Sequence, residues 1–398
     1  MKIVVAVDSF KGSLTSNEAG KAIEEGIKRV FPDSNIVIKS MSDGGEGLIE
    51  TLVSQMNGKI RTIKALDPLG KVIECSYGLI ASRKLAVIEM AKVAGLTLVE
   101  LKDRNPLNTT TYGLGQMILD AIDQGYYRFI IGIGGSATND GGIGMLQALG
   151  YKMLDINNKP VEFGAKGLSQ LKIIDDTNVP SIIKKCEFMI ACDVNNPLCG
   201  KNGASEVFAL QKGASEQLIK QMDKWMLDYA LLSKQKYNNA NENYPGAGAA
   251  GGLGFAFYTY LNAKLQSGID LVINEIELEN DLKDANLIIT GEGRLDSQSV
   301  MGKVPIGVAR AAKKYQLPVI AICGSVSNEA KICNEQGIDA YFSILNEVIS
   351  LQNAMDKQIA YKNMSNTVEQ VFRLFKVCGG KKWFCILVVL VIAGTLVK

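Results

Sequence analysis

The stretch "FIIGIGGSATNDGGIGMLQALG", from Phe129 to Gly150, changes character twice. It begins as an apolar run typical of a buried strand, breaks into glycines and small polar residues, and resumes as a helix. Glycine permits positive φ and close backbone approach, and free N–H groups at a helix start attract phosphate or carboxylate. The stretch therefore predicts a strand–loop–helix unit of an α/β protein, with either an anion-binding loop or a tightly packed helix start.

The same stretch contains part of a dinucleotide-binding fingerprint. Gly132, Gly134 and Ala137 have the required spacing, and Asp155 follows at about the distance of a ribose ligand. In the fingerprint, however, the helix begins within the glycine cluster, whereas here Ser136–Asp140 precede a second glycine pair. Asp155 also falls in an expected hairpin turn. A nicotinamide enzyme is therefore disfavoured, and no GxxxxGK[ST] phosphate loop occurs in the chain.

The glycine signature occurs in three places. "DGGEGL" occupies Asp43–Leu48, "DGGIGM" occupies Asp140–Met145 and "AGGLGF" occupies Ala250–Phe255. Each is Gly-Gly-x-Gly followed by an apolar residue, and each opens a predicted helix. One explanation is helix entry and tight packing without a ligand, and the other is binding of phosphate or carboxylate. The repetition, with an aspartate in two copies, favours ligand binding.

Apolar runs alternate with helical segments at both ends of the chain. Runs suited to buried parallel strands are "KIVVAVD" and "NIVIKSM" near the start, and "ANLIITGEG", "LPVIAICGS" and "AYFSIL" towards the end. The middle has strand-like runs broken by turns, which are typical of antiparallel hairpins. We therefore predict an α/β fold. A doubly wound parallel sheet of five strands is formed by residues 1–60 and 285–377, and residues 61–284 form an inserted mixed α/β domain.

The composition is that of a soluble globular protein and excludes several chemistries. The 398 residues carry a net charge of +2 and contain no basic run with interleaved aromatic residues, so we predict no nucleic-acid partner. The absence of histidine excludes Ser-His-Asp and Cys-His catalysis. Proton transfer must then use Asp, Glu, Lys, Tyr or Cys. The eight cysteines form no CxxC pair and indicate reduced thiols, as in a cytosolic protein.

Charged residues follow several of the predicted strands. Lys11 lies in "SFKGS" after the first strand, and Asp193 follows the apolar run "EFMIAC". The loop at 291–303 carries Glu292, Arg294, Asp296 and Lys303. Ligands of open α/β sheets bind in the crevice beyond the carboxyl ends of strands, where we expect these loops to converge. The alternatives are solvated loop charges and, for Asp193, an Asx turn instead of a base or metal ligand.

The two ends of the chain bear on localisation. "MKIVVAVDSF" has the pattern of a first strand and not of a signal peptide, which predicts a cytoplasmic protein. Residues 378–398 form an apolar tail in which Phe384–Val397 is almost wholly apolar. As a helix that segment is about 21 Å long, whereas a bilayer core needs roughly 20 residues. The tail is a marginal membrane anchor, a buried terminal strand or an extension without function.

The order of the motifs resembles that of the bacterial type I glycerate kinases, from Met1 to about Phe375. The motifs are "DSFKGSL", "DGGEG", "NPLNTTTYG", "IGIGGSATNDGGIGMLQALG", "ACDVNNPLCGKNGAS", "QKGAS", "GAGAAGGLG" and "ITGEGRLD". The resemblance implies ATP-dependent phosphorylation of D-glycerate, usually to 2-phosphoglycerate, with Mg²⁺. It also implies a flavodoxin-like domain with a second α/β domain inserted into it. A 3-phosphoglycerate product, another small hydroxy acid as substrate, and a non-catalytic sugar-acid or nucleotide-binding regulator remain alternatives.

Within that resemblance, candidate site residues fall into three groups. Asp193 is the candidate base, and Lys11 is the candidate cation for phosphate or the glycerate carboxylate. Mg²⁺ prefers oxygen ligands, and its candidates are Asp43, Glu46 and Asp140. The candidates for binding nucleotide and substrate are Gly44, Gly45, Gly134, Gly135, Ser136, Asn139, Glu292, Arg294, Asp296 and Lys303.

Overall fold

The chain folds into two compact units. The computed structural model describes residues 1–300 and 302–379. Unit 1 comprises Met1–Met41 together with the chain from Glu277 onward, and unit 2 comprises Ser42–Ile276. Unit 2 is therefore an insertion in the chain of unit 1. Its ends lie at 41/42 and 276/277, whereas the sequence led us to expect them at 60/61 and 284/285.

The helices and strands follow one another along the chain in three blocks. Unit 1 begins with β1 (Lys2–Val7), α1 (Ser16–Lys28) and β2 (Asn35–Ser40). Unit 2 contains α2 (Leu48–Gln55), β3 (Lys59–Leu66), β4 (Val72–Ile80), β5 (Leu85–Glu89), α3 (Ala91–Ala94), α4 (Tyr112–Asp123), β6 (Arg128–Gly132), α5 (Ile143–Ala148), β7 (Lys152–Leu154), α6 (Ala165–Gln170), β8 (Ile173–Asp175), β9 (Glu187–Ala191), α7 (Ala204–Phe208), α8 (Glu216–Lys234), α9 (Ala249–Leu261), β10 (Lys264–Gln266) and α10 (Gly268–Glu275). Unit 1 resumes with α11 (Leu278–Leu282), β11 (Leu287–Gly291), β12 (Arg294–Leu295), α12 (Val304–Lys313), β13 (Val319–Cys323), β14 (Ser325–Val326), α13 (Ile332–Glu335), β15 (Ala340–Ser343), α14 (Leu351–Met355) and α15 (Lys357–Val377).

The main sheet of unit 1 is parallel and has the strand order β2-β1-β11-β13-β15. When only the strands of this sheet are numbered along the chain, the order is 2-1-3-4-5, the order of flavodoxin-like folds. The residues of β1 from Ile3 to Val7 are completely buried, as expected for a central strand with both faces covered. The predicted five-stranded parallel sheet is therefore confirmed for the described residues.

The sheet of unit 2 is mixed and has the strand order β10-β9-β6-β5-β4-β3. The pairs β3–β4 and β4–β5 are antiparallel, whereas β5, β6, β9 and β10 run parallel to one another. Phe129 of β6 stacks on Phe188 of β9 with ring centroids 4.9 Å apart, in the core of the unit. Because β6 and β9 are parallel neighbours, the loops that follow them lie at the same edge of the sheet.

The helix α2 explains why unit 2 begins earlier than expected. A Cβ atom at Gly78 of β4 would lie 2.5 Å from Val53 of α2, so the helix packs directly on that strand. The N–H groups of Gly47 and Ile49 at the start of α2 donate to Glu89 at the end of β5, at 3.1 and 3.0 Å. Local sequence gives α2 an apolar face but does not specify which sheet that face covers.

The apolar tail predicted for residues 378–398 lies almost entirely outside the described residues, and the segment 384–397 lies wholly outside them. Within residues 1–300 and 302–379, no helix combines the length and the apolar character that crossing a membrane requires.

Candidate functional site

The segment between β6 and α5 contains two exposed glycines. We call Ile133–Asp140 the glycine loop. Gly134 and Gly135 are exposed, Gly135 has a φ of +74°, and no atom lies within 4 Å of a Cβ built on Gly134. Within the part of the chain that the structure describes, the backbone N–H groups of Gly134, Gly135 and Ser136 donate no hydrogen bond. Such unpaired N–H groups are suited to an anion.

A buried lysine supports the glycine loop. Lys212 ends a 3-10 turn, Leu210–Lys212, and only 2% of it is exposed. Its Nζ donates to Ser136 Oγ at 2.9 Å and to the carbonyl oxygen of Thr138 at 2.6 Å. Burial lowers the pKa of Lys212 to about 7, and the negative charge of Asp140 acts in the opposite direction. Lys212 lies in the motif "QKGAS", but no role is predicted for it from the sequence.

Asp140 has a structural role that differs from the predicted one. Its carboxylate is completely buried and accepts hydrogen bonds from Thr111 N at 2.9 Å, Thr111 Oγ1 at 2.8 Å, Gly142 N at 3.0 Å and Gly144 N at 3.3 Å. These donors include N–H groups at the start of α5, so Asp140 caps that helix. Burial raises its pKa, and the four donors oppose the shift. We therefore do not retain Asp140 as a metal ligand, because its oxygens are already used.

Asn139 also holds the fold and does not reach a ligand. It is completely buried, and its Nδ2 donates to Ser205 Oγ of α7 at 2.9 Å. The prediction that Asn139 binds a cofactor therefore does not agree with its position. Its contact instead fastens the glycine loop to a neighbouring helix.

The "DGGEG" loop uses its own donors. Gly44 N donates to Ser42 Oγ at 3.2 Å, and Gly45 N donates to Asp43 Oδ1 at 3.1 Å. Gly44 has a φ of +89°, and a Cβ there would lie 2.6 Å from that of Ala191, so this glycine is required for close packing. The predicted role of Gly44 and Gly45 as backbone donors to phosphate is therefore not supported.

The third glycine copy is a packing device. Ala250, Gly251 and Gly252 have left-handed φ values of 51°, 68° and 89°. Gly251 accepts a hydrogen bond from Gly141 N at 2.9 Å, and a Cβ at Gly251 would collide with the carbonyl oxygen of Thr138. Close packing against the glycine loop, without a ligand, is therefore sufficient to explain the glycines of this copy.

Asp193 lies just beyond β9, at the same edge of the sheet as the glycine loop. Its side chain is exposed, and Oδ1 accepts a hydrogen bond from Gly268 N at 3.0 Å. Surrounding protein atoms displace water and raise the pKa of Asp193 to about 6, and the nearby charges of Asp43 and Asp270 raise it further. We call Asp43, Asp193 and Asp270 the acidic cluster. A carboxyl group with this pKa is ionised at neutral pH and is still basic enough to accept a proton.

The remaining candidates for a metal are Asp43, which belongs to the acidic cluster, and Glu46, three residues further along the chain. Asp43 is partly exposed and Glu46 is exposed. Among the described residues, no three or more Asp, Glu, Cys or His side chains form a ready metal-binding group. Asp43 and Glu46 remain predictions as ligands of a cation.

The candidates in unit 1 gather at the carboxyl ends of its strands. A Cβ on Gly293 would lie 3.9 Å from Lys11 N, so the loops that follow β1 and β11 are adjacent. Lys11 is exposed at a turn closed by Phe10 N donating to Leu14 O at 2.8 Å. The predicted convergence of these two loops therefore agrees with the structure of unit 1.

The 291–303 loop contains both exposed and buried charges. Arg294 is exposed, with its Nε 3.3 Å from an oxygen of Asp296. Glu292 is only 7% exposed and accepts a hydrogen bond from Ser299 Oγ, so it serves to shape the loop. Lys303 is partly exposed at the N-terminus of α12. Arg294 and Lys303 are thus the cations of this loop that a ligand can reach.

Comparison with known proteins identifies close relatives. The chain matches the model of the glycerate kinase family over residues 3–376. It is 46% identical over 364 residues to the glycerate 2-kinase of Escherichia coli K12, a match that covers 92% of this chain and 95% of that protein. Identity to a glycerate kinase of Halalkalibacterium halodurans is also 46%, over 89% of this chain and 93% of that protein. A crystal structure from Salmonella typhimurium LT2, assigned as a glycerate kinase 2, has a TM-score of 0.87 at 42% identity and covers 95% of this chain and 98% of that one.

The two-unit α/β fold and these matches define a phosphotransferase with an alcohol group as acceptor. The chain belongs to the glycerate kinase family. The resemblance inferred from the ordered motifs is thereby confirmed.

Proposed function

We propose that the protein transfers the γ-phosphoryl group of ATP to D-glycerate and forms 2-phosphoglycerate. Similarity to the Escherichia coli glycerate 2-kinase supports the acceptor and the position of phosphorylation. The structural observation that carries the proposal is one edge of the unit 2 sheet, where unpaired N–H groups and a basic carboxylate occur together. Phosphoryl transfer needs both, because phosphate oxygens must be bound and the proton of the attacking hydroxyl must be accepted.

The glycine loop is the proposed phosphate-binding element. The N–H groups of Gly134, Gly135 and Ser136 point to no acceptor among the described residues. Backbone N–H groups cost little reorganisation when negative charge develops on the transferred group, because they are already fixed in the loop. Gly44, Gly45 and Asn139 are left out of this element, since their donors are engaged within the protein.

Asp193 is the proposed general base. The 2-hydroxyl oxygen of glycerate attacks the γ-phosphorus, the bond between that phosphorus and the bridging oxygen of ADP breaks, and the hydroxyl proton passes to the Asp193 carboxylate. The hydrogen bond from Gly268 N orients the carboxylate through Oδ1. A positioned base of this kind contributes about 10²- to 10⁴-fold to rate.

One member of the acidic cluster, Asp43, is proposed to help hold the Mg²⁺ ion that accompanies ATP. Mg²⁺ is usually held by one or two carboxylates together with substrate phosphates, and mutual repulsion within the cluster favours a cation nearby. Asp43, with the exposed Glu46, would hold the ion. When bound, Mg²⁺ neutralises charge on the phosphate oxygens. Asp140 does not fit this role, because its oxygens accept four hydrogen bonds in the interior.

The cations of unit 1 are proposed to bind an anionic group, either a phosphate or a carboxylate, at the carboxyl ends of that unit's own strands. Lys11, Arg294 and Lys303 lie on loops at the carboxyl ends of strands or at a helix start, where α/β sheets bind ligands. Asp296 orients Arg294 through their ion pair, and Glu292 shapes the same loop by accepting the hydrogen bond from Ser299.

The test is identification of the product. The purified protein is incubated with ATP, Mg²⁺ and D-glycerate, and the product is analysed by ³¹P and ¹³C NMR. We expect 2-phosphoglycerate and stoichiometric ADP. Formation of 3-phosphoglycerate would overturn the proposed position of transfer. If ADP is released with another hydroxy acid but not with D-glycerate, the proposed substrate is wrong, and if no ADP is released with any of them, the protein is a binder and not a kinase.

A further inference from the structure

The glycine loop contains one hydroxyl whose orientation is determined by the buried lysine. We infer that Lys212 is a positioning residue for phosphoryl transfer, which holds the Ser136 hydroxyl so that its proton is donated to the bound phosphate. This inference rests on the proposed function, since it assumes that the glycine loop binds the phosphates of ATP. Lys212 is not a catalytic residue in the strict sense, because it is almost completely buried and acts through Ser136.

The hydrogen-bond capacity of the Ser136 hydroxyl determines where its proton can go. A serine hydroxyl has one proton to donate and can accept at its oxygen. Lys212 Nζ carries protons and donates to Ser136 Oγ at 2.9 Å, so the serine oxygen is used as an acceptor. The serine proton must then be directed to a different atom, and the described residues provide no acceptor for it. The exposed Gly134 and Gly135 immediately precede Ser136, so a phosphate bound at their N–H groups is the acceptor that we infer for this proton.

The second bond of the lysine fixes the loop itself. Lys212 Nζ also donates to the carbonyl oxygen of Thr138 at 2.6 Å, and it therefore links two points of the loop that are two residues apart in sequence. The nearest acidic group, Asp140, already accepts four hydrogen bonds from other donors. Simple neutralisation of Asp140 therefore does not account for the lysine. An ammonium group is costly to bury, and here Lys212 Nζ donates both hydrogen bonds to the loop that carries the unpaired N–H groups.

The test compares Lys212→Met, Ser136→Ala and the double variant. Each single variant should raise KM for ATP about 10- to 100-fold, the range expected for a hydrogen bond to a charged group. KM for D-glycerate should stay within about twofold in both. Because Lys212 is inferred to affect the nucleotide through Ser136, the double variant should raise KM for ATP no more than about threefold above Ser136→Ala alone, whereas loss of the Lys212 contact with Thr138 should lower the free energy of unfolding. Ser205→Ala is the matched control: it removes a buried hydroxyl that accepts from Asn139 of the same loop, and it should change KM for ATP less than about threefold, because that hydroxyl is not proposed to contact the phosphate.

Several results would overturn the inference. Effects of the two single variants that multiply in the double variant would mean that the lysine acts independently of Ser136. An unchanged KM for ATP in Ser136→Ala would also refute it, and this variant remains decisive if Lys212→Met does not fold. Calorimetric titration with a non-hydrolysable ATP analogue and Mg²⁺ measures nucleotide binding without turnover. A wild-type protein that binds nucleotide but does not phosphorylate D-glycerate would refute the proposed function while the variants still test Lys212.

Discussion

The two copies of the Asp-Gly-Gly-x-Gly motif in unit 2 are used in different ways. Asp140 is completely buried and caps the helix that its own motif opens. In the other copy a residue distant in sequence, Glu89, caps the helix, so Asp43 stays at the partly exposed edge near Asp193. The same local sequence therefore yields one structural aspartate and one aspartate that is available for chemistry. The two roles differ because Asp140 caps the helix that follows it, whereas Glu89 caps the helix that follows Asp43.

The largest loss of activity is expected at Asp193, which lies near Asp43 of the partly exposed motif copy. Asp193→Asn removes the proposed base, and kcat should fall about 10²- to 10⁴-fold in a coupled assay of ADP release. The fold should be retained, because Asn can still accept the hydrogen bond from Gly268 N. Near-normal kcat in a folded variant would remove the role of Asp193.

The next effect concerns the buried copy. Asp140→Asn replaces one of the two acceptor oxygens by an amide NH2 group, which cannot accept hydrogen bonds from the donors that face it. The free energy of unfolding should fall by about 2–4 kcal/mol, measured by urea denaturation. A loss below about 0.5 kcal/mol would contradict the structural role given to Asp140.

The same substitution at Asp43, in the partly exposed copy, should affect activity more than stability. Asp43→Asn should change the free energy of unfolding by less than about 1 kcal/mol, because Asp43 is partly exposed and Asn can form the same turn with Gly45. Its activity at low Mg²⁺ should fall about tenfold, since one proposed carboxylate for the cation is lost. Titration of the rate with Mg²⁺ measures this effect. Equal losses of stability in the two Asp→Asn variants would show that the copies are not used differently.

The layers of the fold could be predicted from sequence because buried strands have a strong local signature. The apolar runs of β1, β11 and β13 specify a parallel sheet with both faces covered. The start of unit 2 was predicted too late, because the face that α2 presents to β4 depends on tertiary contacts.

The candidate site was only partly predictable for a related reason. Motif reasoning identified the glycine loop and Asp193, since both follow strands directly. It could not distinguish Asp140 from Asp43, because the cap supplied by Glu89 lies about forty residues away in sequence. The role of Lys212 could not be predicted for the same reason, since its partner Ser136 is far from it along the chain.

The most direct test of the account is the pH dependence of kcat/KM for D-glycerate in the wild type and in Asp270→Asn. Asp193 must be ionised to accept the proton, so activity should rise with pH through a pKa of about 6. Asp270 is not a proposed ligand of Mg²⁺, and removing its neighbouring negative charge lowers the pKa of Asp193, so the limb should move to lower pH in the variant. A wild-type profile without a limb in this region, or a limb that does not move in Asp270→Asn, would contradict the assignment of Asp193 as the base.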